Sequence, residues 1–171
     1  PQREADVPDE VPFPAGLELG DVLLRTSRGP RAGKVLLEEV FQTSLEDANL
    51  VGNIYFDNYA KWQGRVRDVF FHEAAPHLYR GGAPNGELMC RRVRVSHIRE
   101  AMPFDLIYVS MGLRAVHQYG VTLEFIYYRI NSDGSSEKLA FSEHEAVWTV
   151  RGPEGRPTAS ALPDELVEAL R

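Results

Sequence analysis

The period of the apolar positions changes along the chain, and each period predicts a different element. Residues 34–44, KVLLEEVFQTS, have the β-branched and aromatic content that is typical of a strand. Across 54–75, apolar side chains recur at spacings of one, three and four residues, which predicts one amphipathic helix that Pro76 stops or kinks. Beyond the helix the dominant period is two, which predicts four more strands, at 87–98, 104–117, 121–130 and 138–150.

Turn-forming clusters separate these segments and limit the possible folds. GGAPNG at 81–86 is a breaker, and NSDGSS at 131–136 predicts a hairpin turn. PDELVEAL at 163–170 predicts a short terminal helix with proline in its first turn. One long helix cannot cover both faces of a sheet. The order of elements therefore predicts an α+β fold in which an antiparallel sheet wraps around one central helix.

Segment 121–130, VTLEFIYYRI, is apolar on both of its faces. We expect the sheet face that the helix leaves uncovered to carry Phe125, Tyr127 and similar residues. An exposed apolar face of this kind favours dimerisation.

The beginning of the chain differs from the rest. Residues 1–33 hold five prolines and many charges with little periodicity, which predicts a flexible N-terminal arm or an extended segment. The remaining residues, 34–171, suit one domain that buries its own core.

Composition narrows the class of protein. A net charge of −6 argues against a general nucleic-acid binder, which is more often basic. No apolar run approaches the roughly 20 residues of a membrane-spanning helix, and the start shows no signal-peptide pattern. The single cysteine, Cys90, excludes an internal disulfide and fits a reducing compartment, so we expect a cytoplasmic protein. We expect Cys90 itself to be a buried strand residue.

The stretch NLVGNIYFDNYAKWQGRVRD, residues 49–68, resembles a known family. Hotdog-fold thioesterases of the 4-hydroxybenzoyl-CoA type carry here an aspartate, two residues, a glycine, an aromatic segment and a helix. In this chain Asn49 stands at the aspartate position and Gly52 at the glycine position, and Tyr59, Trp62 and Arg67 match the helix pattern. More narrowly, the stretch looks like the thioesterases that accompany enediyne polyketide synthases, in which asparagine replaces the aspartate and Gln-Gly-Arg replaces the usual helix acid.

The resemblance implies both a reaction and a partner. It implies a homotetramer, a dimer of dimers, that hydrolyses a polyene β-ketoacyl thioester from the acyl carrier domain of an iterative polyketide synthase. The free β-keto acid can then lose carbon dioxide. No cofactor is expected, and neither a nucleic acid nor a membrane is expected as a partner.

Three residues are the candidate catalytic groups: Asn49, Tyr59 and Arg67. An amide has no useful basic lone pair, so Asn49 would orient water or a carbonyl. Tyr59, Gln63 and Arg67 advance by about 40° per step around the helix, and all three could face one cleft. Free N–H groups at the helix start, around 54–58, would hold the developing oxyanion. The candidate substrate-binding residues are Gly52, Asn53, Tyr55, Phe56, Asn58 and Gln63.

Each assignment has a structural alternative. Asn49 could form a loop Asx-turn, Gly52 could serve only a turn, and Arg67 could make a surface ion pair. Glu46 and Asp47 are either substitute bases or solvated loop acids. The alternatives for the whole protein are an acyl-CoA thioesterase of the same fold and a non-catalytic acyl-binding protein.

The remaining ionisable residues give weaker indications. His144 shares a strand face with Ala140, Ala146 and Trp148, which favours a satisfied core histidine. No spacing of histidine, cysteine and carboxylate residues suggests a zinc site. A basic patch for a carrier domain could form from two groups of cationic residues, with an ordinary solvated strand face as the alternative: Arg91, Arg92, Arg94 and Arg99, and Arg31 and Lys34.

Overall fold

The computed structural model describes residues 35–79, 86–152 and 154–171. Strand β1 (Val35–Gln42) precedes a single turn of 3₁₀ helix (Leu45–Asp47) and the long helix α1 (Phe56–Ala74). A second 3₁₀ turn follows at Pro76–Tyr79. The later elements are β2 (Glu87–His97), β3 (Leu106–His117), β4 (Gly120–Ile130), β5 (Ser136–Arg151), β6 (Pro157–Ala159) and the short helix α2 (Asp164–Leu170). The expected arm at 1–33 lies outside the described residues.

These elements form one antiparallel sheet with α1 packed against it, which confirms the α+β prediction. The strand order is β1-β3-β4-β5-β2, and β6 pairs with β5. The connection through α1 therefore carries the chain from one edge of the sheet to the other. No helix within the described ranges is long and apolar enough to span a membrane.

Helix α1 buries one stripe of side chains against the sheet. Its apolar members are spaced by three, four and four residues: Tyr59, Trp62, Val66 and Phe70. The facing side of β3 and β4 is fully buried and apolar, and it includes Ile107, Val109, Met111, Leu123 and Phe125. Each such side chain contributes roughly 1.5–3 kcal/mol when it is removed from water, so this interface is the core of the fold.

Two expectations about burial are wrong. Phe125 and Tyr127 lie on the covered face of the sheet with 0% exposure, because both faces of β4 are apolar and the alternation could not tell which one faces α1. Cys90 is exposed. It lies on β2, which is an edge strand, next to a register shift between Cys90 and Arg92.

Arg129 on β4 holds the connection between β2 and β3 in place. Its Nε donates to Asp105 Oδ2 at 2.8 Å, and its Nη2 donates to the Glu100 carbonyl at 2.5 Å. Its Nη1 donates to Glu137 Oε2 at 2.8 Å. The same Asp105 oxygen accepts from the Met102 N–H, so one guanidinium fixes both ends of a short segment.

We expect Arg129→Ala to lower the free energy of unfolding by roughly 2 kcal/mol, because it leaves a half-buried carboxylate and a carbonyl without their charged donor. The measurement is urea denaturation. Arg156→Ala is the control, because Arg156 is 85% exposed and its only ion pair among the described residues, with Glu154, spans 3.8 Å. Equal losses in the two variants would contradict the structural role of Arg129.

Candidate active site

The loop before α1 is organised by Asn49. Its Oδ1 accepts the Val51 N–H at 2.9 Å, which is an Asx-turn, and its Nδ2 donates to Asn53 Oδ1. Its backbone N–H donates to the Asn53 carbonyl at 2.8 Å. Asn49 therefore forms the Asx-turn that was its structural alternative. Its side-chain amide also holds Asn53, which is one of the candidate substrate-binding residues. An orienting role for Asn49 in catalysis stays a prediction.

Gly52 closes this loop in a conformation that favours glycine. Its φ is +93°, in the left-handed region, and its N–H donates to the Asn49 carbonyl at 3.0 Å. A Cβ built at this position meets no atom within 4 Å. Backbone conformation, rather than lack of space, therefore explains the glycine, in agreement with the turn alternative.

Two backbone amides at the start of α1 remain available to a ligand. The Ile54 N–H donates to the Ala101 carbonyl at 2.9 Å, and the Tyr55 N–H donates to the Asp47 carbonyl at 2.9 Å. The Asn58 N–H donates to the Tyr55 carbonyl at 3.1 Å. The amides of Phe56 and Asp57 have no acceptor among the described residues, and Tyr55 provides no side-chain cap. The positive end of the helix dipole lies at these two donors.

The two acidic residues of the loop, Glu46 and Asp47, lie in different environments. Asp47 Oδ2 accepts from the Ser44 N–H at 2.8 Å and from Ser44 Oγ at 3.1 Å, so this carboxylate caps the 3₁₀ turn. The Asp47 carbonyl also accepts from Asn58 Nδ2 at 3.0 Å. Glu46 is exposed. Asp47 is thus engaged in holding the loop against the helix.

A cavity of about 170 Å³ lies beside the start of α1. Three of the predicted residues line it: Asn53, Phe56 and Tyr59. The opposite wall is formed by the end of β2 and the segment after it, and includes His97, Arg99 and Glu100. Gln63 and Arg67 do not line this cavity, and the half-exposed side chain of Tyr55 does not line it either.

Tyr59 is buried between the cavity and the sheet. Its ring lies 4.7 Å from His97 and 5.0 Å from Tyr127, measured between centroids. Burial raises the pKa of the Tyr59 hydroxyl to about 12, and the nearby Arg129 charge opposes the shift. The hydroxyl therefore keeps its proton at neutral pH and can act as a hydrogen-bond donor.

Gln63 and Arg67 continue the line of Tyr59 along α1, as the spacing predicted, but they face β5. Gln63 Oε1 accepts from Ser142 Oγ at 2.7 Å. Arg67 Nη1 lies 3.0 Å from His144 Nε2, and its Nε and Nη2 donate to Asp68 Oδ1 at 2.8 and 2.6 Å. Arg67 is only 9% exposed, so it is a buried cation with two partners rather than a surface ion pair.

The fold and this helix–loop arrangement can be compared with known proteins. No protein-family model matches the sequence, and no curated protein matches it. The dynemicin thioesterase, known from crystal structures that concern polyene binding, is 27% identical to this chain. It superposes with a TM-score of 0.70 over 78% of this chain and 93% of its own. The chain belongs to the hotdog-fold thioesterase superfamily.

Other thioesterases of known structure share the hotdog fold at lower identity. The 4-hydroxybenzoyl-CoA thioesterase from Pseudomonas sp. strain CBS-3 is 12% identical, with a TM-score of 0.66 over 77% of this chain and 96% of its own. A gentisyl-coenzyme A thioesterase is 14% identical, with a TM-score of 0.65 over 78% of this chain and 99% of its own. These two matches support the fold of this thioesterase and nothing finer.

Two histidines of the thioesterase lie at positions that sequence reasoning missed. His144 is buried as expected, but its contact with Arg67 joins residues 77 apart in the chain. The alternation of β2 gives His97 the same strand face as Val93 and Val95, but nothing in the sequence brings the end of β2 against the start of α1. The alternation of β2 was the only signal available. Across residues 35–79, 86–152 and 154–171, no three histidine, cysteine or acidic side chains are grouped to hold a metal ion.

Burial and the adjacent Arg67 charge lower the pKa of His144 to about 4. Its Nε2 then accepts from Arg67, and the proton lies on Nδ1. That atom and Gln63 Nε2 are buried without a hydrogen-bond partner among the described residues. The expectation of a fully satisfied core histidine is therefore wrong, because the guanidinium occupies one ring nitrogen and no described acceptor faces the other.

The strand arginines form a surface of mixed charge. Arg92 pairs with Glu145 at 3.2 Å, and Arg99 pairs with Glu137 at 2.8 Å. Arg94 lies opposite Glu143 in the register of β2 with β5. Acidic residues on β5 thus offset much of the expected basic patch, and Arg31 and Lys34 lie outside the described residues.

We expect Asn49→Asp to lower kcat/KM for a thioester substrate about tenfold, or about 1.4 kcal/mol, and by more than Asn49→Ala does. Aspartate loses the donor to Asn53 Oδ1 and places a negative charge against that oxygen. Steady-state kinetics of both variants at neutral pH provide the measurement. A large rate gain in Asn49→Asp would instead identify position 49 as a vacant base position.

The stability of the thioesterase should fall in acid because of His144. A histidine whose folded pKa of about 4 lies below its unfolded value takes up its proton first in the unfolded chain. The contribution of neutral His144 to the free energy of unfolding is fully present above pH 6.5 and is lost as the pH falls towards 4. The loss amounts to about 3 kcal/mol at the lower end of this window.

Urea denaturation at a series of pH values tests this expectation. His144→Gln should flatten the profile between pH 6.5 and 4 relative to the unmodified protein. The control is His72→Gln, because His72 is exposed near the end of α1. If His144→Gln and His72→Gln give the same profile, His144 is not held neutral in the folded state.

Proposed function

We propose that this thioesterase hydrolyses a polyene β-ketoacyl thioester carried by the acyl carrier domain of an enediyne polyketide synthase. The superfamily is that of thioester hydrolases. The finer assignment is supported by the likeness to the dynemicin thioesterase and by the motif in 49–68. The observation that carries the proposal is the start of α1 at the cavity: Phe56 lines it, and the amides of Phe56 and of the next residue, Asp57, have no acceptor among the described residues.

The proposed chemistry uses electrostatics and positioning. Water attacks the thioester carbonyl, and the helix-start amides stabilise the charge that develops on the carbonyl oxygen. Tyr59 offers a protonated hydroxyl at the cavity wall, and Asn49 holds Asn53 in place. Arg67 does not line the cavity, so its fixed positive charge meets a β-keto oxygen or product carboxylate only if the proposed site extends about two turns further along α1 from Tyr59. The free β-keto acid can then lose carbon dioxide.

The proposed site needs more than one copy of the chain. Sites for drug-sized ligands enclose about 300–1,000 Å³, whereas the cavity here is about 170 Å³. Large apolar side chains are exposed around it, on the loop, the helix start and the β2–β3 connection: Leu50, Val51, Tyr55, Phe56, Met102 and Phe104. A second copy packed on these residues would enlarge the site, in keeping with the proposed dimer of dimers.

The test compares acyl chains on two carriers. We expect rapid release of a β-keto acid from the loaded synthase carrier domain and slower release of the same chain from coenzyme A, both followed by mass spectrometry. The reverse preference would indicate an acyl-CoA thioesterase. Hydrolysis of neither substrate would indicate a non-catalytic acyl-binding protein.

Arg67→Ala should lose at least tenfold in kcat/KM on the preferred substrate, and Arg67→Lys should restore little, because a point charge cannot satisfy His144 and Asp68 together. Arg65→Ala is the matched control. Arg65 lies on the exposed side of α1, 3.9 Å from Glu39. Unfolding temperatures of all three variants separate loss of activity from loss of fold.

A further inference from the structure

His97 occupies a position that the proposed mechanism leaves unused. It is the last residue of β2, and its ring lies 4.7 Å from the Phe56 ring and 4.7 Å from the Tyr59 ring, measured between centroids. Phe56 also contributes one of the two free amides at the start of α1. The imidazole lines the same cavity as Phe56 and Tyr59.

Neither ring nitrogen of His97 has a hydrogen-bond partner among the residues described. Its contacts there are aromatic, from Phe56 and Tyr59 on α1, and Ala140 lies opposite it on β5. The charged neighbours in the cavity wall are Arg99 and Glu100. Both nitrogens are consequently available to water.

The other polar groups of the cavity are poorly suited to accept a proton at neutral pH. The Asn53 amide is not a base, and the Tyr59 hydroxyl keeps its proton because its pKa is raised to about 12. Arg99 is a cation that pairs with Glu137. Glu100 is exposed, as His97 is, but a carboxylate is a weaker base than an imidazole.

We propose that His97 is the general base of the thioesterase reaction, an inference that rests on the proposed function. His97 takes a proton from the attacking water as the new C–O bond forms and the carbonyl electrons move onto oxygen. When the tetrahedral intermediate collapses, the C–S bond breaks and the imidazolium returns its proton to the leaving thiolate. One thioester and one water give one acid and one thiol.

Desolvation at the cavity wall lowers the pKa of His97 below its usual 6.5. The imidazole is consequently in its neutral, proton-accepting form at neutral pH. This placement also fits the neutral amide at position 49, because a base across the cavity makes a carboxylate in the loop unnecessary.

The experiment measures kcat/KM of the full chain between pH 5 and 9 on the substrate that the unmodified protein hydrolyses. We expect activity to fall in acid with an apparent pKa below 6.5. His97→Gln should lose about 100-fold at pH 7.5 and should also lose this acid limb. His97→Ala should recover part of its rate when free imidazole is added.

His77→Gln is the control, because His77 lies beyond the other end of α1, about 28 Å along the helix axis, and should keep both rate and profile. An active His97→Gln with an unchanged pH profile would overturn the inference alone. Loss of the acid limb in Glu100→Gln rather than in His97→Gln would also overturn it. So would a loss of rate in His97→Ala that added imidazole does not restore, if the unfolding temperature of that variant is unchanged. If the unmodified protein hydrolyses no thioester, the proposed function fails, and the role of His97 fails with it.

Discussion

The packing of α1 on one face of the antiparallel sheet fixes the position of every group in the candidate site. The buried stripe of the helix turns Tyr59 towards the sheet, where the Tyr127 hydroxyl donates to the Tyr59 carbonyl at 3.0 Å. That contact holds the first turn of α1, in which Phe56 lines the cavity and the amides of Phe56 and Asp57 are free of described acceptors. If α1 rotated or slid on the sheet, the oxyanion donors and the cavity wall formed by β2 would separate.

The same interface contains polar groups that a purely structural core would avoid. Gln63, Arg67 and His144 are buried together, and two of their nitrogen atoms have no partner among the described residues. A buried polar group without a partner destabilises a fold by about 1–3 kcal/mol, and such conflicts concentrate at functional sites. This pattern supports a role for the polar side of α1 in function, whereas Val66 and Phe70 on the same helix supply stability.

The sequence allowed the elements and the helix–loop motif to be predicted, because both are local. The amphipathic period identified α1, alternation identified the strands, and the spacing of Asn49, Gly52 and Arg67 carried the family resemblance. The sequence did not allow us to predict which strands become neighbours in the sheet. The side of β4 that faces the helix, the exposure of Cys90 at a sheet edge, and the meeting of His97 with Tyr59 depend on which strands become neighbours, and no single segment encodes that.

The chemical consequence of an amide at position 49 follows from charge. A carboxylate at position 49 would lie against Asn53 Oδ1, at the wall of the cavity in which the proposed mechanism develops negative charge. The neutral Asn49 removes this repulsion and instead fixes the loop through Asn53. In the proposed mechanism the base is an imidazole on the opposite wall, neutral before attack and positive while the intermediate is negative. The imidazolium and the negative oxygen of the intermediate therefore attract each other across the cavity at the stage where the barrier lies. This attraction ends once the proton has moved from the imidazolium to the leaving sulfur.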